Sequence, residues 1–171
     1  MELPVELLAT NSDRALNFFY TNLQDVISRD VRRRISEEET LYSSTVLAHY
    51  AQVSCESAQI DCAPVASCWS ILMERYGYNT GIHREPGLME EAGGQSMLLL
   101  GFLKQAIERH YNLSDCCRHG EFFFSQAAVG GRRSMMLTMA NHYNLWVCLL
   151  WRMNRHIKEQ KYLLQLRPPS S

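Results

Sequence analysis

The chain has 171 residues, of which 46% are hydrophobic and 20% are charged, and its formal net charge is −1. These values are typical of one globular domain that buries a sizeable core, and they exclude a largely disordered chain. A net charge this close to zero also argues against the strongly basic surface of many nucleic-acid-binding proteins.

The charged residues are distributed unevenly along the chain. Residues 1–100 carry 7 basic and 14 acidic side chains, residues 101–171 carry 10 basic and 4 acidic ones, and arginine outnumbers lysine 14 to 3. Arginine makes two-point contacts with carboxylates and phosphates and is frequent at interfaces. We favour an interpretation in which the two halves attract each other within one fold. The alternative is a basic face for an acidic protein or a nucleic acid.

Two amphipathic helices are predicted in the first third of the chain. The first runs from Asp13 to Ser28, with Ser12 as its N-cap. The second begins after Ser36, because Ser36 and Glu39 have the spacing of a capping box, and it extends to Ser54. Their apolar stripes consist of Ala15, Leu16, Phe19, Leu23, Val26 and Ile27 in the first helix and of Tyr42, Val46, Leu47, Tyr50 and Val53 in the second.

A third helix is predicted around Pro64, which suits a first turn because its missing amide hydrogen has no partner there. The buried face of this helix consists of Val65, Cys68, Trp69, Leu72 and Tyr76. Residues 77–95 hold five of the nine glycines and Pro86, and we interpret them as a long loop with at most one helical turn at Leu88–Ala92. Such a loop is either functional or a tolerated surface insertion.

The middle of the chain contains one clear helix and one ambiguous segment. A fourth helix is predicted over Ser96–Tyr111. The segment Asp115–Ala128 contains Gly120 and three consecutive phenylalanines, and it is predicted as either a short helix or an extended stretch. Gly130 and Gly131 then break the chain before the last helix.

The last quarter of the chain is the most informative part, because one helical pattern runs from Ser134 to Leu164. It contains the apolar block 145–151, which other elements must cover because it is apolar on every side. The block is far too short to cross a bilayer, which needs about 20 such residues. A regular seam for helix packing consists of Met135, Met139, Tyr143, Trp146, Leu150, Met153 and Ile157.

The predicted fold is therefore all-α. We expect a single domain over residues 1–171, built as a bundle of five to seven helices around the long C-terminal apolar helix. Residues 165–171 are expected to form a frayed tail.

The cysteines and the N-terminus bear on the cellular compartment. The six cysteines are much sparser than those of small disulfide scaffolds, and the N-terminus lacks the basic and apolar regions of a signal peptide. We therefore expect reduced, mostly packed thiols and an intracellular, reducing compartment, either the cytoplasm or the nucleus.

No standard catalytic or cofactor-binding motif occurs in the sequence, so we expect neither enzyme activity nor a cofactor. The densest chemical cluster offers four potential zinc donors: His110, Cys116, Cys117 and His119. Their spacing matches no familiar ligand pattern, so we favour ordinary packed and solvated side chains. The alternatives are a zinc site or a reactive thiol whose pKa is lowered by Arg118 and His119.

Two groups of arginines are candidates for contact with a partner. At helical spacing Arg29, Arg32 and Arg33 share one side. Arg132 and Arg133 precede the last helix at its positive end, where they do not favour its dipole. This unfavourable placement points to an external anion or carboxylate.

Apolar residues of the last helix that lie off its packing seam are further candidates. The helix has more apolar side chains than one seam can use, so some of them are expected to reach a docking surface. The predicted partner-binding residues are Arg29, Arg32, Arg33, Arg132, Arg133, Leu145, Leu149 and Trp151.

The stretch Val129-Gly130-Gly131-Arg132 before an apolar helix resembles the N-W-G-R signature of Bcl-2-like bundles in its glycine and arginine. Those bundles wrap amphipathic helices around an apolar central helix and bind a partner helix in a groove. The asparagine and tryptophan of the signature are absent here, so we assign no family.

The sequence as a whole predicts a non-enzymatic interaction or adaptor module. It would bind another protein, through a helical or acidic segment of that protein, at an apolar surface flanked by arginine. One alternative is a nucleic-acid-binding protein that uses the basic C-terminal half, and another is a zinc- or thiol-dependent site at Cys116, Cys117 and His119. No membrane span is expected.

Overall fold

A computed structural model of the chain describes residues 12–56, 65–77 and 85–166. The helices are α1 (Ser12–Val26), α2 (Arg29–Arg32), α3 (Glu37–Glu56), α4 (Val65–Leu72, continued by a π-helical turn at Met73–Gly77), α5 (Pro86–Glu108), α6 (Leu113–Ala127), α7 (Arg133–Asn141, after a 3₁₀ turn at Gly130–Arg132) and α8 (Tyr143–Leu166). These ranges contain no β-strand, which confirms the all-α prediction for the described chain.

The core is organised around two helices, α5 and α8, which pack against each other. Helix α5 also packs against α4 and α6, and α8 packs against α1. The largest fully buried side chains of the two central helices are Met97, Leu100 and Ile107 in α5 and Tyr143, Trp146 and Leu149 in α8. The predicted seam of the last helix is confirmed, because its five members from Met139 to Met153 are buried. The sequence did not reveal that α5 shares the centre.

The prediction of a loop over 77–95 is wrong, because α5 begins at Pro86. Three glycines of α5, Gly93, Gly94 and Gly101, lie where the helix packs closely against neighbouring side chains. A Cβ atom added to Gly93 would lie 3.0 Å from the Phe124 ring, and one added to Gly101 would lie 2.5 Å from the Cβ of Leu150. Residues 78–84 of the predicted loop lie outside the described chain.

The prediction of one continuous helix from Ser134 to Leu164 is also wrong. The chain changes direction at His142, whose φ and ψ are −100° and 13°, so α7 and α8 are separate helices. The hydrogen bonding continues through the break, since the His142 amide donates to the Thr138 carbonyl at 3.0 Å. The predicted tail begins too early, because α8 extends to Leu166, and residues 167–171 lie outside the described chain.

Local signals located the other helices well. The capping box before α3 is confirmed, since the Glu39 amide donates to Ser36 Oγ and the Ser36 amide donates to Glu39 Oε1, both at 3.1 Å. The ambiguous segment Asp115–Ala128 is helical, and Asn112 caps α6 by accepting from the Asp115 amide at 3.2 Å. Pro64 lies outside the described residues.

Helix α3 is oriented differently from its sequence pattern. Of its predicted apolar stripe, Tyr42, Val46 and Tyr50 are only half-buried and Leu47 is buried, while the side chain of Val53 lies outside the description. The buried side of α3 consists of Glu39, Thr40, Ser43, Ser44, Leu47 and Ala48. The predicted apolar stripe is therefore only partly buried, and its members Tyr42, Val46 and Tyr50 line a groove.

Candidate docking groove

The groove lies between α3, the first half of α5 and the start of α7, and its volume is about 700 Å³. We call it the α3–α5 groove. Its apolar lining consists of Leu41, Tyr42, Val46 and Tyr50 from α3 and Met135 from α7.

Two glycines and two glutamates of α5 form the wall of the groove opposite α3. Gly87 and Gly94 both line the groove, and because they are seven residues apart they lie two turns apart on the same face of the helix. A Cβ atom added to Gly94 would lie 3.2 Å from Val46, whereas one added to Gly87 would meet nothing within 4 Å. Glycine at position 94 therefore permits close approach of α5 to α3, whereas the groove is open at Gly87.

A small polar network closes one side of the groove. The Tyr42 hydroxyl donates to Glu90 Oε1 at 3.0 Å, and the Arg132 guanidinium donates to the same oxygen. Further along, the Tyr50 hydroxyl donates to the carbonyl of Glu91 at 3.3 Å. The positive charge of Arg132 is therefore paired within the groove itself.

The lining of the groove is acidic overall. Three carboxylates, those of Glu38, Glu90 and Glu91, face a single guanidinium, that of Arg132. Burial raises the pKa of Tyr50 to about 12, and the negative charge of Glu91 contributes. Burial, followed by the charge of Glu90, also raises the pKa of Tyr42. Both hydroxyls consequently stay protonated at neutral pH and remain hydrogen-bond donors.

The α3 wall is anchored from behind by Glu39, which is almost completely buried. Besides its capping bond to Ser36, its carboxylate accepts from His142 Nδ1 at 2.8 Å and from Trp146 Nε1 at 3.2 Å. These bonds tie the start of α3 to the start of α8, so the groove wall has a fixed position.

The structure brings only one of the predicted partner-binding arginines into the groove, namely Arg132. Arg133, Arg32 and Arg33 are exposed, and Arg32 Nη2 donates to the Gln24 carbonyl at 3.2 Å. The side chain of Arg29 lies outside the described part of the chain.

The predicted apolar contact residues of α8 belong largely to the core, which is a correction. Leu149 is fully buried and Leu145 packs partly buried against the core, because α1, α5 and α6 surround this helix. Trp151 is half-buried between two cations, with Lys104 Nζ 5.4 Å and Arg155 Cζ 5.0 Å from its ring centroid. The exposed large apolar side chains of the described residues include Leu41 on α3, which lines the groove, and also Ile71, Leu88, Phe122, Val129 and Leu137 in other parts of the chain.

Cys116, Cys117 and His119 lie on α6, and His110 precedes that helix. Cys116 and Cys117 are both buried, whereas His110 and His119 are exposed. Burial raises the pKa of each thiol to about 11, which contradicts the alternative of a reactive thiol whose pKa is lowered by Arg118 and His119.

No group of three histidine, cysteine, aspartate or glutamate side chains converges on a common point in the described ranges. Cys116, Cys117 and Cys148 form no disulfide.

Sequence reasoning missed the groove for two identifiable reasons. The stripe containing Tyr42, Val46 and Tyr50 was recognised only as the apolar face of a helix. The opposite wall, with Glu90 and Gly94, was assigned to a loop. The signal that could have exposed the first error is the row of polar residues on the other side of α3, whose four members are Glu39, Thr40, Ser43 and Ser44.

Comparison of the chain with models of known protein families, with curated proteins and with solved structures found no match. Among the helices of the described ranges, none has the length and apolar character needed to cross a lipid bilayer.

Proposed function

We propose that this chain is a non-enzymatic interaction module whose α3–α5 groove holds an amphipathic helix of another protein. The observation that carries this proposal is the orientation of α3. Its aromatic and aliphatic stripe lines a solvent-open groove, while its row of hydroxyl side chains is buried. Apolar surface left open in this way is typical of a docking site.

The dimensions of the groove support a helical occupant. The lining residues of α3 extend from Glu38 to Tyr50, a span of about 18 Å at the rise of an α-helix. This length accommodates about three turns of a docked helix, whose apolar anchors recur at intervals of three and four residues. Adaptable side chains at the rim, such as Met135, suit packing against such anchors.

The first experiment selects ligands from a displayed library of amphipathic helical peptides and measures their affinity for two variants. Leu41→Glu places a charge in the groove and should weaken the selected peptides about tenfold or more. Ile71→Glu is the matched control, because Ile71 lies on α4 and is 54% exposed, close to the 50% exposure of Leu41. The control should bind like the unmodified chain.

Two outcomes contradict the proposal. One is a selection that enriches no peptide, and the other is a set of peptides whose affinity is the same in Leu41→Glu as in Ile71→Glu. A structural readout accompanies the affinities: with methyl-labelled methionine, the signal of Met135 in the groove should shift on binding, whereas that of Met153 in the core should not.

A further inference from the structure

We infer that the α3–α5 groove selects a helix that carries basic side chains beside its apolar face, and that Glu38 and Glu91 recognise them. This inference rests on the proposed function, since it names the charge of the helix that the groove holds. It differs from the sequence-based expectation of an acidic partner.

The charge balance of the lining supports a basic partner. Among the lining residues that the structure describes, Arg132 is the only lysine or arginine, and the Glu90 carboxylate already pairs with its guanidinium. The carboxylates of Glu38 and Glu91 make no ion pair with any residue of the described chain. The Glu91 carboxylate accepts a hydrogen bond from the neutral amide of Gln95 at 3.2 Å, so both carboxylates lack a cationic partner among the described residues.

The positions of these two carboxylates define where the basic residues of a partner should lie. Glu38 belongs to the first turn of α3. Glu91 lies on the opposite wall, on α5, and its carbonyl accepts from Tyr50 at the far end of the α3 lining. Because the two carboxylates belong to opposite walls of the groove, the partner's two cations should lie on opposite borders of its apolar face.

An acidic helix would meet an unfavourable environment in the same groove. To pair with Arg132, its carboxylate would have to displace Glu90, which also holds the hydroxyl of Tyr42. It would then lie among three like charges of the lining, and juxtaposed like charges act against binding.

The test uses three designed peptides of about 18 residues, long enough to form a helix. They share one leucine pattern and differ only at one position on each border of the apolar face, which carries arginine, glutamine or glutamate. Binding to the whole chain is measured by fluorescence anisotropy. At about 50 mM salt the arginine peptide should bind about 4- to 25-fold more tightly than the glutamine peptide, and the glutamate peptide should bind most weakly. The differences should shrink at about 300 mM salt because the charges are screened.

Substitutions in the protein provide a second, independent readout. Glu38→Gln and Glu91→Gln should each lower the ratio of arginine-peptide to glutamine-peptide affinity about two- to fivefold. Arg132→Gln should raise that ratio, because it releases the charge of Glu90. Glu108→Gln is the matched control, since Glu108 is an exposed carboxylate of α5 outside the groove lining, and it should leave the ratio unchanged.

The outcomes separate this inference from the proposed function. The charge preference is wrong if the three peptides bind equally or if the glutamate peptide binds most tightly. If Leu41→Glu also abolishes that binding, the groove still binds a helix and the proposed function stands. If none of the peptides binds, or Leu41→Glu leaves their binding intact, both the proposed function and this inference are overturned.

Discussion

The carboxylate of Glu39 joins two parts of the chain that are distant in sequence. It closes the capping box with Ser36 and accepts hydrogen bonds from His142 and Trp146. A buried charge is tolerated only where such bonds replace its hydration. At the scale of single residues, this side chain positions the wall of the groove.

Replacing Glu39 should therefore destabilise the fold. We expect Glu39→Ala to lower the free energy of unfolding by about 2–4 kcal/mol, because the buried indole N–H of Trp146 loses its partner and the cap is lost. The measurement is urea unfolding followed by tryptophan fluorescence. Glu37→Ala, in the same first helical turn but exposed, should cost only a few tenths of a kcal/mol. Equal unfolding midpoints for the two variants would show that Glu39 does not anchor α3.

At the scale of elements, α3 shows how tertiary contacts override an amphipathic pattern. Its buried serine and threonine hydroxyls are largely accommodated by bonds to the preceding turn, as in Ser44 Oγ donating to the Thr40 carbonyl at 2.7 Å. Because small hydroxyl side chains permit close approach, α3 packs its polar side against α1. Its bulky aromatic side is left for the groove.

Ser43 provides a test of this arrangement. Its Oγ is buried and has no hydrogen-bond partner among the described residues. Removing an unsatisfied buried hydroxyl should stabilise the fold, so Ser43→Ala is expected to raise the free energy of unfolding by about 1 kcal/mol. Ser44→Ala is the matched control, because its hydroxyl is bonded, and chemical denaturation should show a smaller gain or a loss. The interpretation is wrong if Ser44→Ala stabilises the protein as much as Ser43→Ala.

At the scale of the whole molecule, the bundle depends on the contact between its two central helices. Gly101 allows α5 to lie directly on Leu150 of α8, where any Cβ atom would be only 2.5 Å away. The partner in that contact is the Cβ of Leu150 itself, which cannot turn aside as the end of a flexible side chain could. Glycine is thus required at this crossing although it weakens an isolated helix.

This requirement gives a prediction with a matched control on the same helix. Gly101→Ala should lower the free energy of unfolding by about 1–3 kcal/mol, because overpacking forces α5 and α8 apart. The same substitution at Gly87, where an added Cβ meets nothing within 4 Å, should be neutral or slightly stabilising. Thermal unfolding followed by circular dichroism compares the two variants. If Gly101→Ala and Gly87→Ala have the same midpoint temperature of unfolding, the close contact between α5 and α8 at Gly101 is contradicted.

The predictions that succeeded depend on contacts close in sequence. The helical periodicity of α1 and the capping box of Ser36 and Glu39 involve neighbours within four residues, so they can be recognised without a structure. The seam of the last helix was located equally well. The break at His142 was not, because the bond from its side chain to Glu39 spans 103 residues.

The predictions that failed concern segments whose structure depends on tertiary contacts. Glycine weakens helices when nothing else intervenes, so the sequence pattern at Gly93 and Gly94 favoured a loop. The structure keeps them helical because Phe124 and Val46 need the space. The candidate site was missed for the same reason, since its two walls come from segments that only the fold brings together.

By itself, the sequence determined that the described chain is helical and that the last helix is buried, because the spacing of apolar residues along a helix decides which of its faces can be hydrated. The tertiary structure decided that α5 shares the centre and that α3 turns its tyrosines outward. Those outcomes depend on the size and shape of side chains far apart in the chain, and one-dimensional periodicity does not contain that information.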